Sequence, residues 1–120
     1  MEHPMYPEST RDLYALRREL APEQLAAFRA FSQAAFADGA LPTKMKQLIA
    51  VAVAHTTQCP YCIRGHTEAA IKSGASEKEV MEAIWVAAEM RAGAAYAHSN
   101  LALDTMRTLA AAKPEARAGD

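Results

Sequence analysis

The feature that most restricts this chain is Pro60, set in the run His55-Thr56-Thr57-Gln58-Cys59-Pro60-Tyr61-Cys62-Ile63-Arg64-Gly65-His66. Proline pushes the residue before it out of the α region, yet its fixed φ suits the first turn of a new helix. One helix is therefore predicted to stop near Gln58 and another to begin at Pro60. Cys59 then falls at or just before a helix N-terminus, where free amide groups and the positive end of the dipole favour thiolate over thiol. Within the new helix Cys62 and His66 are four residues apart, so their side chains share a face about one turn from each other. An imidazole so placed can take the Cys62 proton. Two thiols and a base at one helix start are the parts of a dithiol/disulfide centre, and the run reads as redox chemistry.

Other chemistries use similar residues. Haem attachment needs a histidine directly after the second cysteine, and Ile63 stands there. His55, Cys59, Cys62 and His66 alternate at spacings of four, three and four residues, which invites zinc. On a continuous helix rising ~1.5 Å per residue, however, His55 and His66 lie about 16 Å apart, too far for one tetrahedral ion. A fold-back at Pro60, or three ligands with water, leaves zinc open at the level of sequence. So does a plain packing role for two buried cysteines, with the histidine at the helix surface. The redox reading requires no metal and no cofactor.

The rest of the chain reads as helical support, with no alternating strand pattern and no hairpin turn, so the expected class is all-α in a single domain over residues 1–120. Residues 1–9 hold two prolines and read as an extended arm. A first helix is expected from Thr10 to Glu19, and a second from Pro22 to a stop at Asp38-Gly39, with Leu25, Phe28, Phe31 and Phe36 as scaffold. A third begins at Pro42 and is apolar nearly all round through Leu48, Ile49, Val51, Val53 and Ala54, which predicts a central buried helix. The fourth, from Pro60 to about Ser73, ends at Gly74. Ser76-Glu77-Lys78-Glu79 is a capping box that opens the longest helix. Its main stripe is expected to be Val80, Met81, Ile84, Trp85, Ala88, Ala92, Ala95 and Ser99, with Trp85 in the core. Ala83, Ala87, Met90 and Ala94 form a second stripe of small residues. A last segment is expected from Leu101 to Ala112, with residues 114–120 frayed beyond Pro114.

Composition limits function. Half of the chain is apolar, but much of that is alanine, with only three Phe, four Tyr and one Trp, so a lone subunit has thin material for a core. Apolar surface buried between copies, a homo-oligomer, is the expectation. A net charge of -1 with no basic cluster leaves nothing obvious for nucleic acid to bind. The apolar run Leu48 to Ala54 falls far short of the ~20 residues that a membrane helix requires. Met1 to Glu8 has neither a cationic start nor an apolar stretch, so no signal peptide and a cytoplasmic location are expected. In that reducing compartment a cysteine pair is catalytic or metal-binding more often than a static staple.

Three segments together resemble the carboxymuconolactone decarboxylase superfamily in its alkylhydroperoxidase D-like branch: Lys44-Met45-Lys46-Gln47-Leu48-Ile49-Ala50, then Cys59-Pro60-Tyr61-Cys62-Ile63 with His66, then Gly74-Ala75-Ser76-Glu77-Lys78-Glu79-Val80. The similarity covers about residues 40–98. It implies an all-α fold assembled as trimers or hexamers that reduces hydroperoxides through the cysteine pair, with an external dithiol resetting it. By position Cys59 and Cys62 match the redox pair, and His66 the proton-relay histidine. The family commonly places a glutamate twelve residues before the first cysteine, where this chain has Gln47; a glutamine can orient an imidazole but cannot accept its proton at neutral pH. A histidine that the better-studied members carry between the cysteines is here Tyr61. Glu68 and Glu82 are the candidates to supply the missing carboxylate, and His55 is read as a buried or capping residue.

Overall fold

The structure, a computed structural model, describes residues 5–112, and these form five helices with no strand: α1 (Arg11–Leu20), α2 (Pro22–Phe36), α3 (Thr43–Thr57), α4 (Pro60–Lys72) and α5 (Glu77–Ala111). The first four residues of the expected arm and the expected frayed tail lie outside the described residues. Each helix starts where its local chemistry dictates. The Thr10 hydroxyl caps α1 by accepting from the Leu13 amide at 3.2 Å, and Pro22 opens α2 at its first position. Pro42 offers α3 no side-chain cap, so Asp38 reaches across the turn to accept from the Thr43 amide at 2.7 Å. The capping box of α5 is complete, with Glu79 N–H donating to Ser76 Oγ at 3.1 Å and Ser76 N–H to Glu79 Oε1 at 2.9 Å. Gly74 ends the α4 turn at φ 99°, a conformation that suits glycine.

α3 is the central helix, as its apolar circumference predicts. It packs on α4 and on the first half of α5, and their core is Leu48, Val51, Ala70, Ala75 and Val80, with Ala83 and Ile84 against it. Val51 is wholly buried. Two expectations for α5 are corrected. It continues unbroken through Leu101 to Ala111, because no proline or helix-ending glycine interrupts residues 94–111. Its buried seam is Val80, Ala83, Ile84 and Ala87, whereas Trp85 is 69% exposed. Ala83 and Ala87 lie in this seam between Val80 and Ile84 and let the helix axes approach closely, while Met81, Trp85 and Met90 are turned outward.

The α1–α2 hairpin meets the rest of the subunit mainly through the end of α2. Phe28 and Phe31, expected as scaffold, are 65% and 71% exposed. The radius of gyration is 22.3 Å, against about 14 Å for a compact chain of this length. The accessible surface of 9917 Å² is more than half as large again as the roughly 6,300 Å² usual for a folded monomer of 13.0 kDa. Among the described residues no helix is long and apolar enough to cross a membrane.

Candidate redox site

The break at Pro60 builds the site. α3 ends at Thr57, Gln58 turns left-handed at φ 58° and ψ 46°, and Cys59 is extended at φ -95° and ψ 108°, as a residue before proline must be. Arg91 of α5 donates to the Thr56 carbonyl at 3.0 Å, satisfying one of the carbonyls that α3 leaves open at its end. Cys59 is the N-cap residue of α4, with its sulfur in the place usually taken by an oxygen; the Cys62 amide donates to Cys59 Sγ at 3.3 Å.

Both cysteines are free and half-buried, and they are electrostatically unlike. The neighbouring Cys62 thiol first, then the Cys62 amide and, least, the Tyr61 amide hold the Cys59 thiol below its usual range against the opposing effect of burial. The same thiol pairing pushes Cys62 up, helped by burial and by the negative charge of its neighbour. Of the reduced pair, Cys59 is the more acidic thiol and Cys62 the one that holds its proton more tightly.

His66 lies one turn further along α4. Its Nδ1–H donates to Gln47 Oε1 of α3 at 2.8 Å, which leaves Nε2 with its lone pair. The ring also stacks on Phe36 of α2, with centroids 5.2 Å apart and an 18° interplanar angle. Cys62 and His66 both open onto a mainly apolar cavity of about 440 Å³ walled by Phe36, Ile49, Val53 and Ala54. On their other side they share a cavity of about 490 Å³ with Gln47 and Tyr61. The arrangement suits a thiol that gives its proton to Nε2 when an apolar reactant arrives beside it.

Of the remaining candidates from sequence, only Gln47 joins the thiols and His66 directly. The Tyr61 hydroxyl donates to the Pro7 carbonyl at 2.8 Å, and its ring stands edge-on to Tyr6 at 6.0 Å, so it faces the arm. His55 Nδ1 is tied to the Val51 carbonyl of its own helix at 2.7 Å. Glu68 is paired with Lys72 at 2.7 Å on the surface, and that ammonium keeps its carboxyl below the usual range. Glu82 lines a separate cavity with Met45 and Leu48. Neither carboxylate substitutes for the one absent at Gln47. Among the described residues no three His, Cys, Asp or Glu side chains converge on a point where a metal ion could sit. Phe36, Ile49, Val53 and Arg91 were not singled out from sequence, and only the regular apolar spacing of the first three gave any signal.

This helical arrangement and the sequence that produces it are those of a known family. The carboxymuconolactone decarboxylase family model matches residues 22–105, and the chain belongs to that family. It is 68% identical over 77 residues to an uncharacterised protein of the cox locus of Paracoccus denitrificans, covering 64% of this chain and 69% of that one. Among solved structures it is similar to an apo carboxymuconolactone decarboxylase family protein from Legionella pneumophila, with 39% identity, a TM-score of 0.63 and coverage of 66% and 70% of the two chains. A protein from Methanobacterium thermoautotrophicum has 37% identity and a TM-score of 0.65, over 69% of this chain and 93% of that one.

Proposed function

We propose that the chain is a thiol peroxidase of the alkylhydroperoxidase D-like kind. The observation that carries this reading is that Cys62, whose amide donates to Cys59 Sγ, and His66, whose Nδ1 is held by Gln47, line the same apolar cavity. Cys62 gives its proton to His66 Nε2, and its thiolate attacks the terminal oxygen of a hydroperoxide. The O–O bond breaks, the sulfur becomes a sulfenic acid, and the alkoxide takes the proton back from the imidazolium to leave as an alcohol. Cys59, the more acidic thiol, loses its proton and attacks the Cys62 sulfur as a thiolate, and the hydroxide released takes up a proton to become water as the disulfide closes. Two electrons pass from the dithiol to the peroxide, and an external thiol reductant returns them.

A raised Cys62 calls for a base, and a lowered Cys59 suits the resolving role. Walls of Phe36, Ile49 and Val53 favour an alkyl hydroperoxide over hydrogen peroxide. Stopped-flow oxidation of the reduced protein by cumene hydroperoxide tests this. Two thiols should be lost per alcohol formed, and His66→Ala should slow the step by about 10²- to 10⁴-fold, the range of general base catalysis. Oxidation of His66→Ala at the parent rate would rule out the relay. A second reading, a disulfide reductase or redox sensor with little peroxidase activity, is favoured by one observation: Gln47 offers the imidazolium no charge. It predicts reversible disulfide exchange with negligible peroxide turnover.

The functional unit in this proposal is a homo-oligomer, a trimer or hexamer, in the cytoplasm. The extended shape and the exposed Phe31, Trp85, Tyr96, Leu101 and Met106 support burial between copies.

A further inference from the structure

On the side of Tyr61 away from the thiols, the arm and α1 enclose a cleft of about 690 Å³ walled by Ser9, Thr10, Arg11, Tyr14, Arg17 and Tyr61. The bond from the Tyr61 hydroxyl to the Pro7 carbonyl closes the arm over it. Beyond Tyr14 stand two more guanidiniums, those of Arg18 and Arg29, at 6.0 Å and 5.4 Å from its ring centre. Among the described residues the salt bridges are Lys44–Glu79 and Lys72–Glu68, so none of these four arginines is ion-paired. Glu8 is the carboxylate on the cleft wall, leaving it a net cationic lining. Guanidinium forks with no carboxylate partner among the described residues, beside hydroxyl donors, are matched in geometry by carboxylates. Tyr61 is also a wall of the cavity that holds Cys62 and His66, so the two spaces meet across one side chain.

We propose that this cleft docks the reductant that resets the centre, and that the reductant is a low-molecular-weight thiol bearing carboxylates. The proposal rests on the dithiol reading of Cys59 and Cys62. Its carboxylates lie among Arg11 and Arg17, and its sulfur reaches over Tyr61 to Cys62. The ligand thiolate attacks Cys62 Sγ of the disulfide, the protein S–S bond breaks, and Cys59 departs as a thiolate. Cys59 is suited to leave, because its surroundings already stabilise the anion and a more acidic thiol leaves faster. A second ligand thiolate attacks the ligand sulfur of the mixed disulfide. A ligand disulfide forms, Cys62 is released and takes up a proton, and the protein has gained the two electrons that two thiol molecules lost.

The test starts from protein oxidised by diamide, so that no peroxide chemistry is involved. Second-order reduction rates are measured with glutathione and with neutral 2-mercaptoethanol, each corrected for its thiolate fraction. Glutathione should be preferred by about 10-fold or more, a modest electrostatic gain, and the preference should shrink in high salt. In Arg11→Gln/Arg17→Gln it should fall to near unity, and Arg17→Glu should turn it toward cationic cysteamine. A variant that folds poorly also loses the preference, so the turn toward cysteamine in Arg17→Glu, which unfolding does not produce, is the diagnostic result, and an Arg17→Glu protein with no such turn would overturn the assignment. Equal rates in the parent protein, or a preference that survives the double substitution, would overturn the cleft assignment. Failure of peroxide to oxidise the pair would sink the peroxidase reading alone, whereas failure of diamide to close it would sink both.

Discussion

Cys59 and Cys62 are three residues apart and differ in what their sulfurs meet. Cys59 Sγ accepts from the Cys62 amide and its thiol is held below the usual range, whereas the Cys62 thiol is pushed up by its neighbour and by burial. The signs give a pH prediction. Cys59 should stay reactive toward iodoacetamide as pH falls below the usual thiol range, and lose reactivity only as its lowered value is crossed, while Cys62 should react only at higher pH. Cys62→Ser replaces the thiol donor, and mass-resolved alkylation should then find the Cys59 midpoint displaced; an unchanged midpoint would show that the amides alone set it. Gln47 invites the complementary change. Gln47→Glu puts a carboxylate where the amide oxygen now accepts from His66, stabilises the imidazolium, and should speed peroxide oxidation by about 10-fold, while Gln47→Ala should slow it by a similar factor. If both leave the rate alone, His66 is not the base. That Cys59, Cys62 and His66 stand close together at one helix start was legible in the sequence because it follows from local spacing. Phe36, some 30 residues before His66, was not, since no local pattern announces a stack made across a turn.

At the scale of helices, boundaries were legible wherever a cap or a proline sets them. The stops at Gln58 and Gly74 and the start at Ser76 are chemistry of a few neighbouring residues. Which face of α5 is buried was not, because both of its stripes are apolar and close axial approach to α3 selects the smaller side chains. The capping box should be worth its usual share: Ser76→Ala should cost about 1 kcal/mol in denaturant unfolding, and an unchanged midpoint would mean that packing alone holds the start of α5. Gln58 holds a left-handed backbone without being glycine. Gln58→Gly should therefore be tolerated or stabilising by roughly 0.5–1 kcal/mol, whereas a β-branched residue there should disturb the entry to Cys59.

For the whole molecule, the all-α class followed from sequence, while the outline did not. A chain of this composition cannot cover its own apolar surface, and the far half of α5 extends with Leu101, Leu103 and Met106 uncovered. Leu103→Glu/Met106→Glu should lower the mass found by light scattering if that half is an interface between copies; a parent protein that is monomeric at micromolar concentration would contradict the proposed assembly. In the proposed chemistry the sulfur that meets the substrate is Cys62, which lines the apolar cavity. The most direct test of the redox account is a single mass-spectrometric measurement: reduced Cys59→Ser mixed with cumene hydroperoxide in the presence of dimedone, a sulfenic-acid trap. The expected result is one dimedone adduct, on Cys62, formed much faster than on free cysteine; no adduct, or one formed no faster than on free cysteine, would contradict it.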